Sequence, residues 1–285
     1  MVNSPIPVHR RRYSNEIKKH FREKIFEEKS EGPCRFTNVE LFMNSSNGTL
    51  YSATDRSTDA QVILKKIVPN KSSMMKMDKE LVPAEIYFHF EAFKACPEHV
   101  VEPLSYYKEG QNFILAMDRP EGYADLLEVA QKYAPIDENA SFKVAKQLTQ
   151  ACQILRKSGI IHGDIKLENT LMNLKTLQVR LIDFGSALSE KTIEKEFRQP
   201  PSTRRYLPPD SSYKIDETTV WQIGAIMYIL LVGEWCYDED FGWTRDRESE
   251  EHLSSMAVFM IEQALNIKSC LRISSEALIL MLEKL

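Results

Sequence analysis

From about position 36, apolar and polar residues alternate in the short runs RFTNVELFM, GTLYSATD and AQVILKKIV, separated by Asn, Ser, Gly and Asp. Alternation bounded by such turn residues predicts half-buried strands. The stretch KELVPAEIYFHFEAFKA predicts a helix entered through a charged loop, and two further β segments, VVEPLSYYKEG and QNFILAMD, run up to RPEG. After Gly122 the period lengthens. In ENASFKVAKQLTQACQILRKSG, the residues Ala145, Leu148, Cys152 and Leu155 recur at spacings of three and four on one helical face. Gly159 is placed to end that helix in a left-handed conformation. A short strand in LQVRLIDFG, an irregular polar segment over 186–212, and helices near 220–232, 252–265 and 275–285 complete the pattern. No internal repeat is visible. The chain thus divides into a polar extension (1–34), a small β-rich lobe (35–121) and a larger helical lobe (122–285), with a hinge near 118–125. A cleft between two lobes is a favoured place for a ligand.

Composition narrows the class. A length of 285 residues supports one large core or two modest ones, and 43% hydrophobic with 27% charged residues describes a globular protein. A formal charge of −4 argues against a general nucleic-acid binder, which needs a net basic face. Five cysteines, odd in number and without a C-x-x-C pair, suit a reducing compartment and neither a disulfide framework nor a zinc site. The first residues lack the apolar region of a signal peptide. The longest apolar run, IGAIMYILLVG, is too short to span a bilayer and reads as a buried helix. The expectation is therefore a cytoplasmic or nuclear monomer without nucleic-acid or membrane partners. Arg10, Arg11 and Arg12 open a mixed-charge stretch that reads as a solvated tail or surface helix, with a docking arm as the alternative.

The chemistry concentrates in IIHGDIKLENTL, residues 160–171, where Asp164 and Asn169 stand five apart, and in RLIDFGSA, which contains Asp183. Moving a γ-phosphoryl group requires positioning and charge neutralisation more than covalent chemistry. Lys65, at the end of VILK, is a cation for nucleotide phosphates, and Glu85 on the following helix is its candidate partner. Asp164 is the candidate base, Lys166 a neutraliser of the migrating phosphate, and Asn169 with Asp183 a candidate pair of oxygen ligands for Mg²⁺. Each signal is weak alone; together, in order and in a strand–helix–helix–loop–strand context, they support phosphotransfer. His162-Gly163-Asp164 also occurs in small-molecule phosphotransferases. Lys166, the Asp183-Phe184-Gly185 triplet and the segment TRRYLPPD go against that alternative.

These motifs, with LVPAEI, DRPEGYADLL, LIDFGSA and TVWQIG, make residues 36–285 resemble a eukaryotic protein kinase domain, and more narrowly the Pim serine/threonine kinases. The resemblance implies a bilobal α+β kinase fold that uses ATP and Mg²⁺ to phosphorylate protein substrates. It implies a nucleotide site lined by Gly48, Leu50, Ile63 and Leu171. Pro120 stands where kinases offer adenine a backbone N–H, so a carbonyl, that of Asp118, is expected to hold the base. Thr219 replaces the usual Asp before VWQIG. Asp125, Glu128 and Glu168, supported by Asp238, Glu239 and Asp240, imply an acidic trough for substrates rich in basic residues.

Several positions depart from the family. Of the glycine-rich loop, here Met43-Asn44-Ser45-Ser46-Asn47-Gly48, only the last glycine remains, so looser phosphate cover is expected. Ile63 replaces a small residue on the roof of the adenine pocket. Asp210 replaces a glutamate expected to pair with Arg272. Gly163 replaces the arginine that meets a phosphorylated activation loop, which implies a loop not switched by that clamp. A catalytically impaired pseudokinase acting as an interaction scaffold is the alternative reading.

Overall fold

Strand-forming sequence and a single buried helix build the first lobe. The computed structural model describes residues 35–45, 48–70, 73–190, 203–209, 214–238, 242–244 and 247–285. Arg10 to Arg12, Cys34, Ser46, Asn47, Asp210, Glu239 and Asp240 lie outside the described residues, so the expectations placed on them have no structural counterpart. The first lobe comprises β1 (Phe36–Ser45), β2 (Gly48–Asp55), β3 (Ala60–Ile67), β4 (Met74–Met77), β5 (Glu80–Pro83), α1 (Ala84–Ala95), β6 (Pro103–Glu109) and β7 (Asn112–Asp118). The main sheet runs β1-β2-β3-β7-β6 with every pairing antiparallel.

Period-two alternation gives this sheet two apolar faces. Phe36, Ala53, Val62, Leu64, Ile114 and Ala116 pack on one of them. On the other, Ile67, Phe113, Leu115 and Met117 pack with Val82, Ile86, Phe90 and Val101, and Ile63 rests against the same group. Ile63, Lys65 and Ile67 share a parity on β3, so Lys65 points to the face that α1 covers. The lead-in to α1 differs from expectation. KELV is not part of a helix or a charged loop; Glu80–Pro83 pairs with Met74–Met77 as a hairpin around Asp78, which has φ +53°. Pro83, without an N–H, ends the strand and allows the helix to start at Ala84.

The second lobe holds β8 (Tyr123–Asp125), α2 (Leu126–Tyr133), α3 (Glu138–Lys157), β9 (Ile160–Ile161), a 3₁₀ turn over Leu167–Asn169, β10 (Thr170–Asn173), β11 (Val179–Leu181), β12 (Leu188–Ser189), α4 (Ile215–Val232), β13 (Tyr237–Asp238), β14 (Gly242–Trp243), α5 (Ser255–Ala264) and α6 (Ser275–Leu282). The 3–4 spacing of α3 does turn Ala145, Leu148 and Leu155 into the core. Gly159 ends it at φ +76°, donating its N–H to the Arg156 carbonyl at 2.8 Å. Helix α4 is apolar nearly all round and forms the spine of the core. It is long and apolar enough to cross a membrane, but 78% of that window is buried inside the protein. Two small antiparallel sheets, β11-β10-β8 and β12-β9, set the loops that carry chemistry. The lobes are tied by backbone bonds from Val101 N–H to the Leu181 carbonyl (3.1 Å) and from Leu181 N–H to the His99 carbonyl (2.8 Å).

Candidate active site

Lys65 is 3% exposed, and a buried ammonium needs anionic partners. It has two: its Nζ lies 2.5 Å from Glu85 Oε1 and 2.8 Å from Asp183 Oδ1. Burial disfavours its charge, yet the two carboxylates outweigh that and hold the ammonium above its ordinary range. For Glu85, burial raises the pKa, the Lys65 charge opposes this, and the Asp183 carboxylate adds to the rise. One cation between two carboxylates leaves the group one negative charge in excess, which suits a site that receives a metal ion.

Asp183 follows β11 and adopts φ +63°, a strained conformation for a residue with a side chain. Its Oδ1 also accepts the Gly185 N–H at 3.1 Å. The strain is held in place by Phe184, which is fully buried with its ring 5.0 Å from that of His89 and 4.8 Å from that of His162. Both imidazoles are pushed below their ordinary range by burial, His89 to about 4. His89 Nε2 faces the Val101 carbonyl at 2.9 Å and His162 Nε2 faces the Ile182 carbonyl at 3.0 Å, so in the neutral ring these nitrogens carry the proton.

The loop after β9 holds the other cluster. Asp164, 3% exposed, has its Oδ2 2.6 Å from Lys166 Nζ. The Asn169 amide nitrogen donates to the Asp164 carbonyl (2.9 Å) and to Oδ2 (3.1 Å). With that nitrogen committed, the Asn169 oxygen is the atom suited to a metal. Asn169 also accepts the Ile182 N–H at 3.0 Å through its carbonyl, which fixes this loop to the residue before Asp183. Thr203 closes the arrangement: its N–H donates to Asp164 Oδ1 at 3.0 Å, and its hydroxyl accepts from Lys166 Nζ at 2.9 Å. Gly163 has φ +82°, and a Cβ there would lie 2.3 Å from the Ser186 carbonyl oxygen.

The walls of the cleft come from both lobes. Leu50 pairs with Lys65 across β2 and β3, while Ile63 and Leu171 pack against the same apolar group as Met117 and Ile182. Gly48 has φ +133° and lies so close to the Lys66 carbonyl, 2.6 Å from a would-be Cβ, that only glycine fits. At the hinge, Asp118 donates its N–H to the Glu102 carbonyl at 2.9 Å. Burial holds the Asp118 carboxyl above the usual carboxylate range, opposed by Arg180 and by the Arg119 N–H that it accepts. Pro120 follows without an N–H.

The three residues nominated for substrate contact are engaged differently. Asp125 caps α2, accepting the Glu128 N–H at 2.8 Å, and the register of β8 with β10 sets it beside Leu171. Glu128 is exposed in the first turn of α2. Glu168 pairs with Arg205 and accepts the Tyr206 hydroxyl at 3.0 Å. The roles of His162, Thr203, Arg205 and Tyr206 are not part of the sequence reading. The signal for His162 is its place beside Asp164; the others belong to a polar segment whose fold no periodicity announces.

Among the described residues, no group of three or more His, Cys, Asp or Glu is placed to hold a metal unaided. Asn169 and Asp183 nevertheless suit Mg²⁺, which takes one or two protein oxygens and completes its shell with water and phosphate. Comparison with known proteins bears on the family. The protein kinase domain family model matches residues 44–285. Serine/threonine-protein kinase pim-2 of Danio rerio is 27% identical over 219 residues, covering 72% of this chain and 70% of the relative. Serine/threonine-protein kinase prk-2 of Caenorhabditis elegans is 27% identical over 191 residues, covering 65% and 42%. Calcium-dependent protein kinase 32 of Arabidopsis thaliana is 30% identical over 192 residues, covering 65% and 34%. The chain spans less than half the length of the last two.

Proposed function

The chain belongs to the protein kinase family, and from that premise we propose that it is an active serine/threonine kinase, Pim-like, using Mg-ATP. The observation that carries the reading is Lys65 held between Glu85 and Asp183, with Asp164, Lys166 and Asn169 gathered on the adjoining loop. ATP supplies the phosphoryl group and Mg²⁺ neutralises its charge. Lys65 binds the nucleotide phosphates, and Glu85 fixes its position. Asn169 and Asp183 hold the metal through oxygen. Asp164 orients the substrate hydroxyl, and Lys166 offsets negative charge on the group in transit. The Asp118 carbonyl meets the base. Glu128 and Asp125 favour protein substrates with basic residues.

A second reading has one specific observation in its favour. Ile63 extends apolar side-chain volume into the group formed with Met117, Leu171 and Ile182, where a base is expected, while the loop before Gly48 lacks its earlier glycines. This is the arrangement of a pseudokinase that keeps the fold for partner binding. One comparison separates the two: γ-phosphate transfer to a basic serine peptide by wild type and by Asp164→Asn, alongside melting with and without Mg-ATP. For the enzyme, the substitution is expected to reduce transfer at least about 100-fold, with Mg-ATP raising the wild-type melting temperature. Equal, background transfer by both proteins and no thermal shift would establish the scaffold instead.

A further inference from the structure

Glu168 stands two residues beyond Lys166, and both of its carboxylate oxygens are in use. Oε1 pairs with the Arg205 guanidinium, and Oε2 accepts the Tyr206 hydroxyl at 3.0 Å. The Tyr206 oxygen in turn accepts the Leu167 N–H at 3.2 Å, so the acceptor and its neighbours are fixed together. The guanidinium lies 4.0 Å from the centroid of the Trp235 ring, and Tyr206 meets that ring edge-on at 5.6 Å. Arg205 Nε is buried without a hydrogen-bond partner. An ion pair and a stacking contact therefore hold the side chain, rather than a full set of hydrogen bonds.

We propose that Arg205 is a specificity-determining residue, a built-in cation that fills the Glu168 carboxylate and removes selection for arginine or lysine at the substrate position facing it. The inference rests on the kinase reading, which makes the segment 203–206 beside Asp164 a substrate-facing one. An unpaired carboxylate at Glu168 would attract a substrate cation; paired with Arg205, its charge is cancelled. Both oxygens already have donors. An incoming arginine must displace one that is stacked on Trp235. A neutral substrate residue meets none of this opposition. The preference expected of the Pim-like resemblance is thereby reduced to what Asp125 and Glu128 supply.

Peptide binding by the full chain tests this without requiring transfer. Fluorescence anisotropy would compare a neutral labelled serine peptide with a set in which a single arginine moves through successive positions. Wild type is expected to bind the parent and the arginine peptide that reaches Glu168 within about twofold of each other. Arg205→Met keeps an apolar chain against Trp235 and is expected to bind that one peptide about three- to tenfold tighter, with the parent unchanged. Adding Glu168→Gln is expected to erase the gain. Two results overturn the proposal: no gain at any position in either Arg205→Met or Arg205→Ala, or a wild-type arginine preference that Glu168→Gln alone abolishes. Should wild type and Asp164→Asn both give only background transfer, with no thermal shift by Mg-ATP, the catalytic reading fails while the binding result still decides the role of Arg205.

Discussion

Gly163 is where two backbones meet. Read in sequence, it is a missing arginine, and the inference is a loop without a receiver for phosphate. The structure adds a positive reason: the left-handed backbone and the Ser186 carbonyl leave no room for any side chain. Gly163→Ala is expected to lower stability by about 2–5 kcal/mol, combining left-handed strain with overpacking, and to lower activity, as read by urea unfolding and peptide phosphorylation. Putting arginine back is therefore not a route to the lost clamp. Thr203 contacts Asp164 and Lys166 and so belongs to the site, and an effect of substituting it would not identify a regulatory phosphate. Lys65 and Glu85 were legible together because strand parity and the helix that follows aim them at each other. Arg205 and Glu168 were not, because 37 residues separate them and no period connects the two segments.

At the scale of elements, the clearest periods translate best. The 3–4 spacing of α3 reappears at Ala145, Leu148 and Leu155, and β2 and β3 form where predicted, although their burial does not strictly alternate. Helix α2 escapes sequence reading because it is eight residues long and buries only Leu126 and Val129. The β4–β5 hairpin escapes it because Lys76, Lys79 and Glu80 disguise two four-residue strands, and its turn lacks the Asn-Gly or Asp-Gly pair that signals one. Helix packing has its own constraint at Gly224 in α4. A Cβ there would lie 2.8 Å from Ala264 Cβ and 2.9 Å from Leu265 Cδ2. Leucine has a far end that moves, whereas the Ala264 methyl is fixed to its helix. Alanine at 224 gains about 1 kcal/mol in helix propensity and loses about 1–3 kcal/mol to overpacking. Gly224→Ala is accordingly expected to be net destabilising by about 1 kcal/mol, measured as a lower melting temperature without change in peptide binding.

For the whole molecule, the order of the motifs made the bilobal kinase fold legible, and the family match over residues 44–285 agrees. Stability also acquires a pH dependence from His89. Folded, it stays neutral down to about 4; unfolded, it takes up a proton near 6.5. The unfolded state thus binds more protons below 6.5, and stability falls as pH falls from there towards 4. Between pH 7.5 and 5 the His89 contribution is expected to cost about 2 kcal/mol, seen as a smaller urea midpoint. Gln at 89 keeps a donor for the Val101 carbonyl and is expected to remove that part of the slope, leaving the part due to His162. The segment linking the lobes also bears on pharmacology. From 118 to 120 the backbone N–H groups go to Glu102, to the Asp118 carboxyl, or do not exist. A flat heteroaromatic compound whose grip depends on accepting an N–H finds none in this stretch. Screening collections enriched for such compounds are mismatched to it, and a selective chemical probe is better built outward from a donor aimed at the Asp118 carbonyl.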